Sequence, residues 1–213
     1  GFVRDALLNK VSYDCDIATS AKPHEIEKVF KDYTQSNIGK KHWTIGVLFK
    51  DEWYEITTYR SDDNYSDYRR PDQVTFVKNL NEDLIRRDFT INALALDFEG
   101  KLIDIVDGEK DLNHKLIRCV GEANQRFQED ALRILRALRF ASTLHFKIEE
   151  STASALQTQA QLLSFVAIER IMVEFHKFIS SNKCADLLYE YKDVFIAFQA
   201  LKSWLYLELR IEK

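Results

Sequence analysis

The sequence is short of the residues that mark disordered, disulfide-bonded or membrane-spanning chains. Its 213 residues include six glycines, two prolines and three cysteines. So little glycine and proline argues against a low-complexity or disordered chain. Cys15, Cys119 and Cys184 lie far apart, without zinc-binding or disulfide-framework spacing, which favours a reducing, cytoplasmic setting. No apolar run approaches the roughly 18 residues that a membrane helix needs, and there is no signal peptide, so no membrane partner is expected.

Charge and histidine spacing limit the class of partner further. The chain has 30 basic and 34 acidic residues, for a net charge of −4. This balance excludes a broadly polycationic nucleic-acid binder but leaves room for local basic clusters. The hydrophobic content of 46% is ample for a core. Metal-ligand spacing is absent from the histidines, which are His24, His42, His114, His145 and His176.

The patterning predicts an α+β fold in two parts. Residues 1–120 mix strand and helix signals, whereas the pattern from Glu122 onward is almost wholly helical, so a boundary is expected near Gly121. The predicted helices are 2–9, 24–33 (opened by Pro23), 149–163, 167–179 and 185–200. Two hairpins are predicted, one formed by 42–49 with 53–59 and the other by 94–98 with 101–106. A long mobile loop is predicted over 60–72 and a turn-like segment over 104–112.

Two carboxylates near the amino end suggest metal chemistry. Asp14 and Asp16 are flanked by β-formers, and side chains two apart on a strand share a face. Adjacent like charges repel unless a cation neutralises them. A pair of Mg²⁺ ions about 3.5–4 Å apart, serving an in-line phosphoryl displacement, fits that need. The alternative is a solvated strand end, because such a pair arises easily by chance in an acidic chain.

Five sequence blocks, taken in order, resemble the class II tRNA nucleotidyltransferases and poly(A) polymerases, most closely the CCA-adding enzymes. The resemblance covers residues 1 to about 190, and the ordered set is far more specific than any single block. The blocks are Gly1–Asp5 with Asp14–Thr19, then Arg86–Ala93, Asp104–Asp111, Glu129–Arg136 and Glu169–Glu174. The family implies a nucleotidyltransferase-type mixed β-sheet head with helices over 1–120, an all-helical neck over 121–190, and the start of a helical body, or an aberrant segment, over 191–213.

The resemblance assigns roles in the head. It implies that Asp14, Asp16 and Glu55 are catalytic, with Mg²⁺ held by the two aspartates. Glu55 is otherwise read as a cross-strand partner of a basic residue. Gly1 and Arg4 would bind the triphosphate, and Arg87, Asp88 and Asn92 would contact the nucleotide, with Asp or Asn reading the ribose 2′-hydroxyl. Ordinary surface charges on helix ends are the alternative for Arg4 and for the block at Arg87.

The block at Glu129 would read the base. Asp130 and Arg133 are three apart on a predicted helix and would share a face, presenting an acceptor beside a donor. Cytosine and adenine show an amine beside a ring-nitrogen acceptor, whereas uracil and guanine show the reverse pattern. The resemblance implies this role for Asp130 and Arg133, with Glu129 and Arg136 in support. The alternative is a surface salt bridge worth a few tenths of a kcal/mol.

Further family positions are expected to be structural. Asp104, Gly108 and Asp111 correspond to a hinge between head and neck, and Glu169, Arg170 and Glu174 fall in a helix that supports the neck.

The expected function is CCA addition to the 3′ end of tRNA from CTP and ATP, with release of pyrophosphate. An A-adding enzyme or a poly(A) polymerase of the same family stays open, as does an inactive remnant with residual RNA or nucleotide binding. The chain is expected to be truncated at both ends, because the family's Gly-Gly pair appears only as Gly1 and no strand precedes it. We therefore expect nucleotide selectivity with weak tRNA binding.

Overall fold

The computed structural model describes residues 1–12, 15–36, 43–63 and 73–197. The chain forms two compact units, of which the first contains Gly1–Asp63, Gln73–Arg87 and Asn92–Gly108. The described part of the second contains 88–91 and 109–197. The domain boundary near Gly121 stays a prediction. No helix within the described ranges is long and apolar enough to cross a membrane.

A four-stranded mixed sheet forms the centre of the first unit. Its strands are β1 (Asp16–Thr19), β2 (Gln35–Ser36), β3 (Thr44–Phe49) and β4 (Glu52–Thr58), in the order β1-β4-β3-β2. β1 runs parallel to β4, and the other pairs are antiparallel. Ile45, Val47 and Ile56 pack with Ile26 of helix α2 (Pro23–Val29), so this sheet face carries the core. The opposite, more polar face carries Asp16, Thr44, Glu55 and Thr57 together with the apolar Leu48 and Trp53.

The remaining elements of the first unit are short. Helix α1 covers Phe2–Leu7 and helix α3 covers Leu80–Ile85. Strands β5 (Arg60–Asp63) and β6 (Gln73–Phe76) form an antiparallel pair, as do β7 (Leu94–Leu96) and β8 (Leu102–Asp104). Helix α4 (Gly108–Asn113) begins where this unit ends.

Helices make up most of the second unit. They are α5 (Ala123–Glu129), α6 (Leu132–Leu144), α7 (Glu150–Thr158), α8 (Ile168–Ile179), α9 (Cys184–Glu190) and α10 (Lys192–Ala197), with a 3₁₀ helix at Ala160–Phe165. β9 (Leu116–Ile117) and β10 (Lys147–Ile148) form a short parallel pair. Ile134 and Leu138 of α6 and Ile171 of α8 are completely buried. The α+β fold class predicted from the sequence is confirmed.

Several predicted elements need correction. The helix opened by Pro23 starts there but ends at Val29, not at residue 33. The predicted loop over 60–72 is wrong at its start, because Arg60–Asp63 pairs with β6 through backbone hydrogen bonds despite its polar side chains; residues 64–72 lie outside the described ranges. The turn-like segment over 104–112 contains the first turns of α4.

Two of the long predicted helices are interrupted. The one expected over 149–163 changes to 3₁₀ geometry at Ala160, and the one expected over 185–200 is broken at Tyr191, whose side chain is buried.

Candidate functional site

An acidic row lies on the polar face of the first sheet. The parallel register sets Asp16 opposite Glu55, and the antiparallel ladder continues the row through Gly46 to Ser36. Asp16 and Glu55 are both exposed. A Cβ on Gly46 would come within 3.2 Å of the Ser36 Cβ and 3.5 Å of the Trp53 ring, so a larger side chain would crowd the face. The row therefore offers two carboxylates from adjacent strands, beside a position that has no side chain.

The donor set of this row suits a hard cation. Directly opposed residues on neighbouring strands lie about 5 Å apart, and carboxylate oxygens are preferred ligands of Mg²⁺. The described residues contain no group of three His, Cys, Asp or Glu side chains arranged to hold a metal. Asp14 lies outside the described residues, so the predicted pairing of Asp14 with Asp16 stays a prediction. Asp16 and Glu55 fit a metal site that a third carboxylate would complete.

Two predicted nucleotide-binding residues of the first unit, Arg4 and Arg87, contact a third, Asn92. Arg4 of α1 donates from Nη1 to the Asn92 side-chain oxygen at 2.7 Å, and it pairs with Asp5 at 2.8 Å. Arg87 donates from Nη1 to the Asn92 backbone carbonyl at 3.1 Å. Gly1 is the N-cap of α1, and its carbonyl accepts from the Asp5 amide at 3.1 Å. The fold thus gathers residues up to 88 positions apart into one polar cluster.

A carboxylate outside the predicted site residues contacts this cluster through Arg87. Asp83 in α3 is only 2% exposed, and it pairs with Arg86 at 2.6 Å and Arg87 at 3.3 Å. The spacing of Asp83, Arg86 and Arg87 at i, i+3 and i+4 was the signal that could have identified it.

In the second unit, Asp88 and Arg136 form an ion pair. The Asp88 carboxylate accepts from the Phe89 amide at 2.8 Å and from Arg136 Nη2 at 2.6 Å. Burial alone would lower the pKa of the Arg136 guanidinium, but the Asp88 carboxylate and then Glu174 bring it above its ordinary value. A residue predicted to contact the ribose is therefore paired with one predicted to support base reading.

The predicted base-reading pair does not have the expected helix geometry. Asp130 is extended, with φ −140° and ψ 103°, because it ends α5 and its side chain accepts from the Leu132 amide at 3.1 Å as α6 begins. Only Arg133 lies on a helix, so the expectation that both share one helix face is wrong.

The ionic partners of the pair come from elsewhere in the unit. Asp130 accepts from Arg170 at 3.1 Å, and Arg133 donates to Glu129 at 3.0 Å. Glu129 also pairs with Arg126 at 2.7 Å. The surface salt bridge considered for Asp130 and Arg133 is thus replaced by two separate ion pairs that orient each side chain.

The positions expected to be structural make structural contacts. Asp104 accepts from the amides of Val106 at 3.1 Å and Gly108 at 3.0 Å, which closes the turn before α4. Asp111 is buried and accepts from the Thr90 hydroxyl at 2.7 Å.

The α8 positions divide by exposure. Glu174 is buried and pairs with Arg139 at 2.7 Å, whereas Glu169 is exposed in the first turn.

Comparison with known proteins gives consistent matches over most of the chain. The family described as "Poly A polymerase head domain" matches residues 1–118, and the one described as "Probable RNA and SrmB- binding site of polymerase A" matches 145–194. A protein of Enterococcus faecalis named CCA-adding enzyme is 55% identical over 179 residues, which is 84% of this chain and 44% of that protein. One of Staphylococcus aureus with the same name is 51% identical over 177 residues, which is 83% of this chain and 44% of that protein.

Solved structures give the same result. The Bacillus stearothermophilus CCA-adding enzyme in complex with CTP is 41% identical with a TM-score of 0.79, covering 87% of this chain and 44% of that one. A tRNA nucleotidyltransferase complexed with a primer tRNA and an incoming ATP analog is 32% identical with a TM-score of 0.74, covering 92% of this chain and 56% of that one. The chain spans less than half the length of the curated relatives named above.

Proposed function

Because the chain belongs to the class II tRNA nucleotidyltransferase and poly(A) polymerase family, we propose that this protein adds CCA to the 3′ end of tRNA. CTP and ATP are the donors, pyrophosphate is released, and no template is used. The observation that carries the proposal is the register that sets Asp16 beside Glu55 on the open face of the sheet. The relatives' names and the CTP-bound structure support the choice of reaction.

Asp16 and Glu55, with Asp14 as the third carboxylate, hold Mg²⁺ in this proposal. A Mg²⁺ ion held by these carboxylates would supply Lewis-acid chemistry and neutralise negative charge on the triphosphate. The two carboxylates fix where positive charge can sit, and their exposure leaves room for a phosphate chain beside them. Residues 1–120 are assigned as the catalytic head and 121–190 as the neck; a cytoplasmic setting is retained from the cysteine pattern.

The cluster around Asn92 is assigned to the phosphates and the ribose. Arg4 and Arg87 bring guanidinium groups, which match phosphate geometry, and the Gly1 end of α1 lies on the same unit. The Asn92 side-chain oxygen accepts from Arg4, and the amide group of the same side chain carries N–H donors of the kind that can pair with a sugar hydroxyl. Asp88 is assigned to the same nucleotide, and its carboxylate accepts from Arg136.

Asp130 and Arg133 are assigned to the base edge. Asp130 accepts from Arg170 and from the Leu132 amide, so it presents acceptor oxygens, to which a cytosine or adenine amine can donate. Arg133 is a donor and suits the ring-nitrogen acceptor next to that amine. Uracil and guanine have a carbonyl where the amine should be, which would face the acceptor and leave both groups unpaired.

The test offers tRNA ending in the discriminator base, in -C or in -CC, with CTP, ATP or both, and Mg²⁺. We expect addition of C followed by a single A. Addition of A only to the -CC substrate, or unlimited A tailing, would instead assign the protein to the A-adding enzymes or the poly(A) polymerases. No incorporation together with no nucleotide binding would identify an inactive remnant.

The metal assignment is tested by Asp16→Ala. We expect incorporation to fall by at least about a hundredfold, because one of the few groups that neutralise the triphosphate is removed. Asp32→Ala is the matched control, since Asp32 is an exposed aspartate of the same unit that lies outside the strands of the sheet. Incorporation measured on labelled tRNA should be unchanged in the control; equal activity of Asp16→Ala and wild type would refute the assignment.

A further inference from the structure

A buried carboxylate connects two arginines and a strand in the first unit. Asp83 lies in α3, and its side chain is 3% exposed. Its Oδ1 accepts from Arg86 Nε at 3.0 Å, from Arg86 Nη2 at 2.6 Å and from the Arg60 amide at 3.3 Å. Its Oδ2 accepts from Arg87 Nη2 at 3.3 Å. The sequence pattern did not suggest a role for this residue.

These donors are enough to satisfy the carboxylate. A charged group without partners is strongly unfavourable when buried, and an ionised carboxylate offers about four acceptor positions. Three of the four donor contacts are on Oδ1 and one is on Oδ2, and the side chain is only 3% exposed, so a substrate has little access to this carboxylate. Its function must act through the groups that it holds.

One of those groups is the first residue of β5. Asp83 accepts from the Arg60 backbone amide at 3.3 Å, and Arg86 Nε donates to the Arg60 backbone carbonyl at 3.0 Å. The Asp83–Arg86 pair therefore binds both polar backbone groups of Arg60. The end of α3 and the beginning of β5 are fixed to each other at this point.

The other group is Arg87. Its guanidinium is held at two points, by Asp83 on Nη2 at 3.3 Å and by the Asn92 carbonyl on Nη1 at 3.1 Å. Its side chain is still 34% exposed, so it remains accessible to a ligand. An arginine that is fixed before binding loses less conformational freedom when it meets an anion than a mobile one does.

We propose that Asp83 is a positioning residue for nucleotide binding, which holds Arg87 in its binding orientation and joins it to the start of β5. The inference rests on the proposed function, in which Arg87 contacts the nucleotide. Asp83 itself touches no substrate.

Because Asp83 is negatively charged, an effect of its position on nucleotide binding can be distinguished from an effect of its charge. A triphosphate is an anion, so removing a negative charge beside Arg87 should strengthen its binding if charge alone mattered. If position matters, the same change should weaken binding. Asp83→Asn tests the sign: it keeps the shape of the side chain but turns one acceptor into an N–H₂ group facing an arginine.

The experiment measures CTP and ATP affinity in the presence of Mg²⁺ by isothermal titration calorimetry on the 213-residue chain. We expect Asp83→Asn to weaken both nucleotides by about tenfold, in line with the loss of a hydrogen bond to a charged group. The matched control is Glu82→Gln, which removes the same charge from an exposed neighbour on α3 and should not weaken binding. A second result, which a merely structural role of Asp83 would not predict, is that the effects of the Asp83 and Arg87 substitutions on affinity are not additive. In an Arg87→Ala background, Asp83→Asn should cause less than about a twofold further change.

The outcomes separate the inference from the function on which it rests. No nucleotide binding by the wild-type chain overturns the proposed function, and the inference with it. If the wild-type chain binds nucleotide and Asp83→Asn binds it equally well or more tightly, the inference alone is overturned. The same holds if Asp83→Asn weakens binding as much in the Arg87→Ala background as it does in the wild type. Circular dichroism verifies folding; if Asp83→Asn does not fold, Asp83→Glu is measured instead. Asp83→Glu keeps the charge but displaces the carboxylate, so it should also weaken binding, and unchanged affinity would overturn the proposal.

Discussion

At the scale of single residues, burial decides the reactivity of the cysteines. Cys119 is 2% exposed, and burial, then the charge of Asp88, raises the pKa of its thiol to about 12. Since the thiolate is the reactive form, iodoacetamide at pH 8 should leave Cys119 unmodified in the native protein. The half-buried Cys15 and Cys184 should react first, as measured by peptide mass spectrometry. A denatured sample, in which all three should react, is the control; labelling of native Cys119 as fast as Cys184 would contradict the prediction.

Also at this scale, the sequence predicted which residue types cluster, but not the contacts between them. The order of the blocks was enough to select Arg4, Arg87 and Asn92, which the structure brings together. Asp83 was not predicted as a site residue, because an acidic residue three and four positions before two arginines is typical of a surface ion pair on a helix. Its burial depends on residues distant in sequence. Asp130 was predicted to lie on a helix because residue spacing does not reveal a break between two helices. At that break its side chain accepts a hydrogen bond from the Leu132 amide.

At the scale of elements, Glu149 caps helix α7. Burial would raise the pKa of its carboxyl, but hydrogen bonds from Ser151 and Thr152 hold it at about 2, below the ordinary 4.5. A lowered pKa in the folded state means that the stabilisation is complete above the unfolded pKa and is lost as the pH falls toward 2. Glu149→Ala should therefore lower the free energy of unfolding by about 1 kcal/mol at pH 7 and by almost nothing near pH 2. Urea denaturation across that range measures it.

The control for this prediction is Glu150→Ala, which removes an exposed carboxylate from the first turn of the same helix. Its effect should be a few tenths of a kcal/mol, without the steep change between pH 4.5 and 2. If Glu149→Ala lowers the free energy of unfolding by the same amount at pH 7 and pH 2, the capping carboxylate is excluded as the cause.

The elements that were predicted well are those whose pattern is local. Helix α8 was expected over 167–179 and covers Ile168–Ile179, because its apolar side chains recur at helical spacing. Strand β5 was not predicted, because Arg-Ser-Asp-Asp has no apolar alternation and is held as a strand by pairing with β6. The break at Tyr191 likewise depends on burial of its ring, which pattern alone does not reveal.

At the scale of the whole molecule, several ion pairs have an acidic partner that is almost completely buried. The acidic partners Asp83, Asp88, Asp111 and Glu174 have side-chain exposures of 3%, 9%, 5% and 8%. Salt screens such pairs much less than exposed ones, and a net charge of −4 adds little self-repulsion. Raising NaCl from about 0.05 to 0.5 M should therefore shift thermal unfolding by less than about 2 °C in calorimetry. A fall of more than about 5 °C would mean that exposed pairs carry the stability.

The register of the central sheet limits how this chain can change in evolution. Lys50 and Asp51, at φ 50° and 65°, form the two-residue connection between β3 and β4, and four positions after Asp51, Glu55 lines up with Asp16. Because side chains alternate along a strand, one codon inserted or deleted between Glu52 and Glu55 would turn Glu55 toward the apolar core. Descendants can accept single-codon length changes in loops outside the sheet, but this short stretch can accept only substitutions.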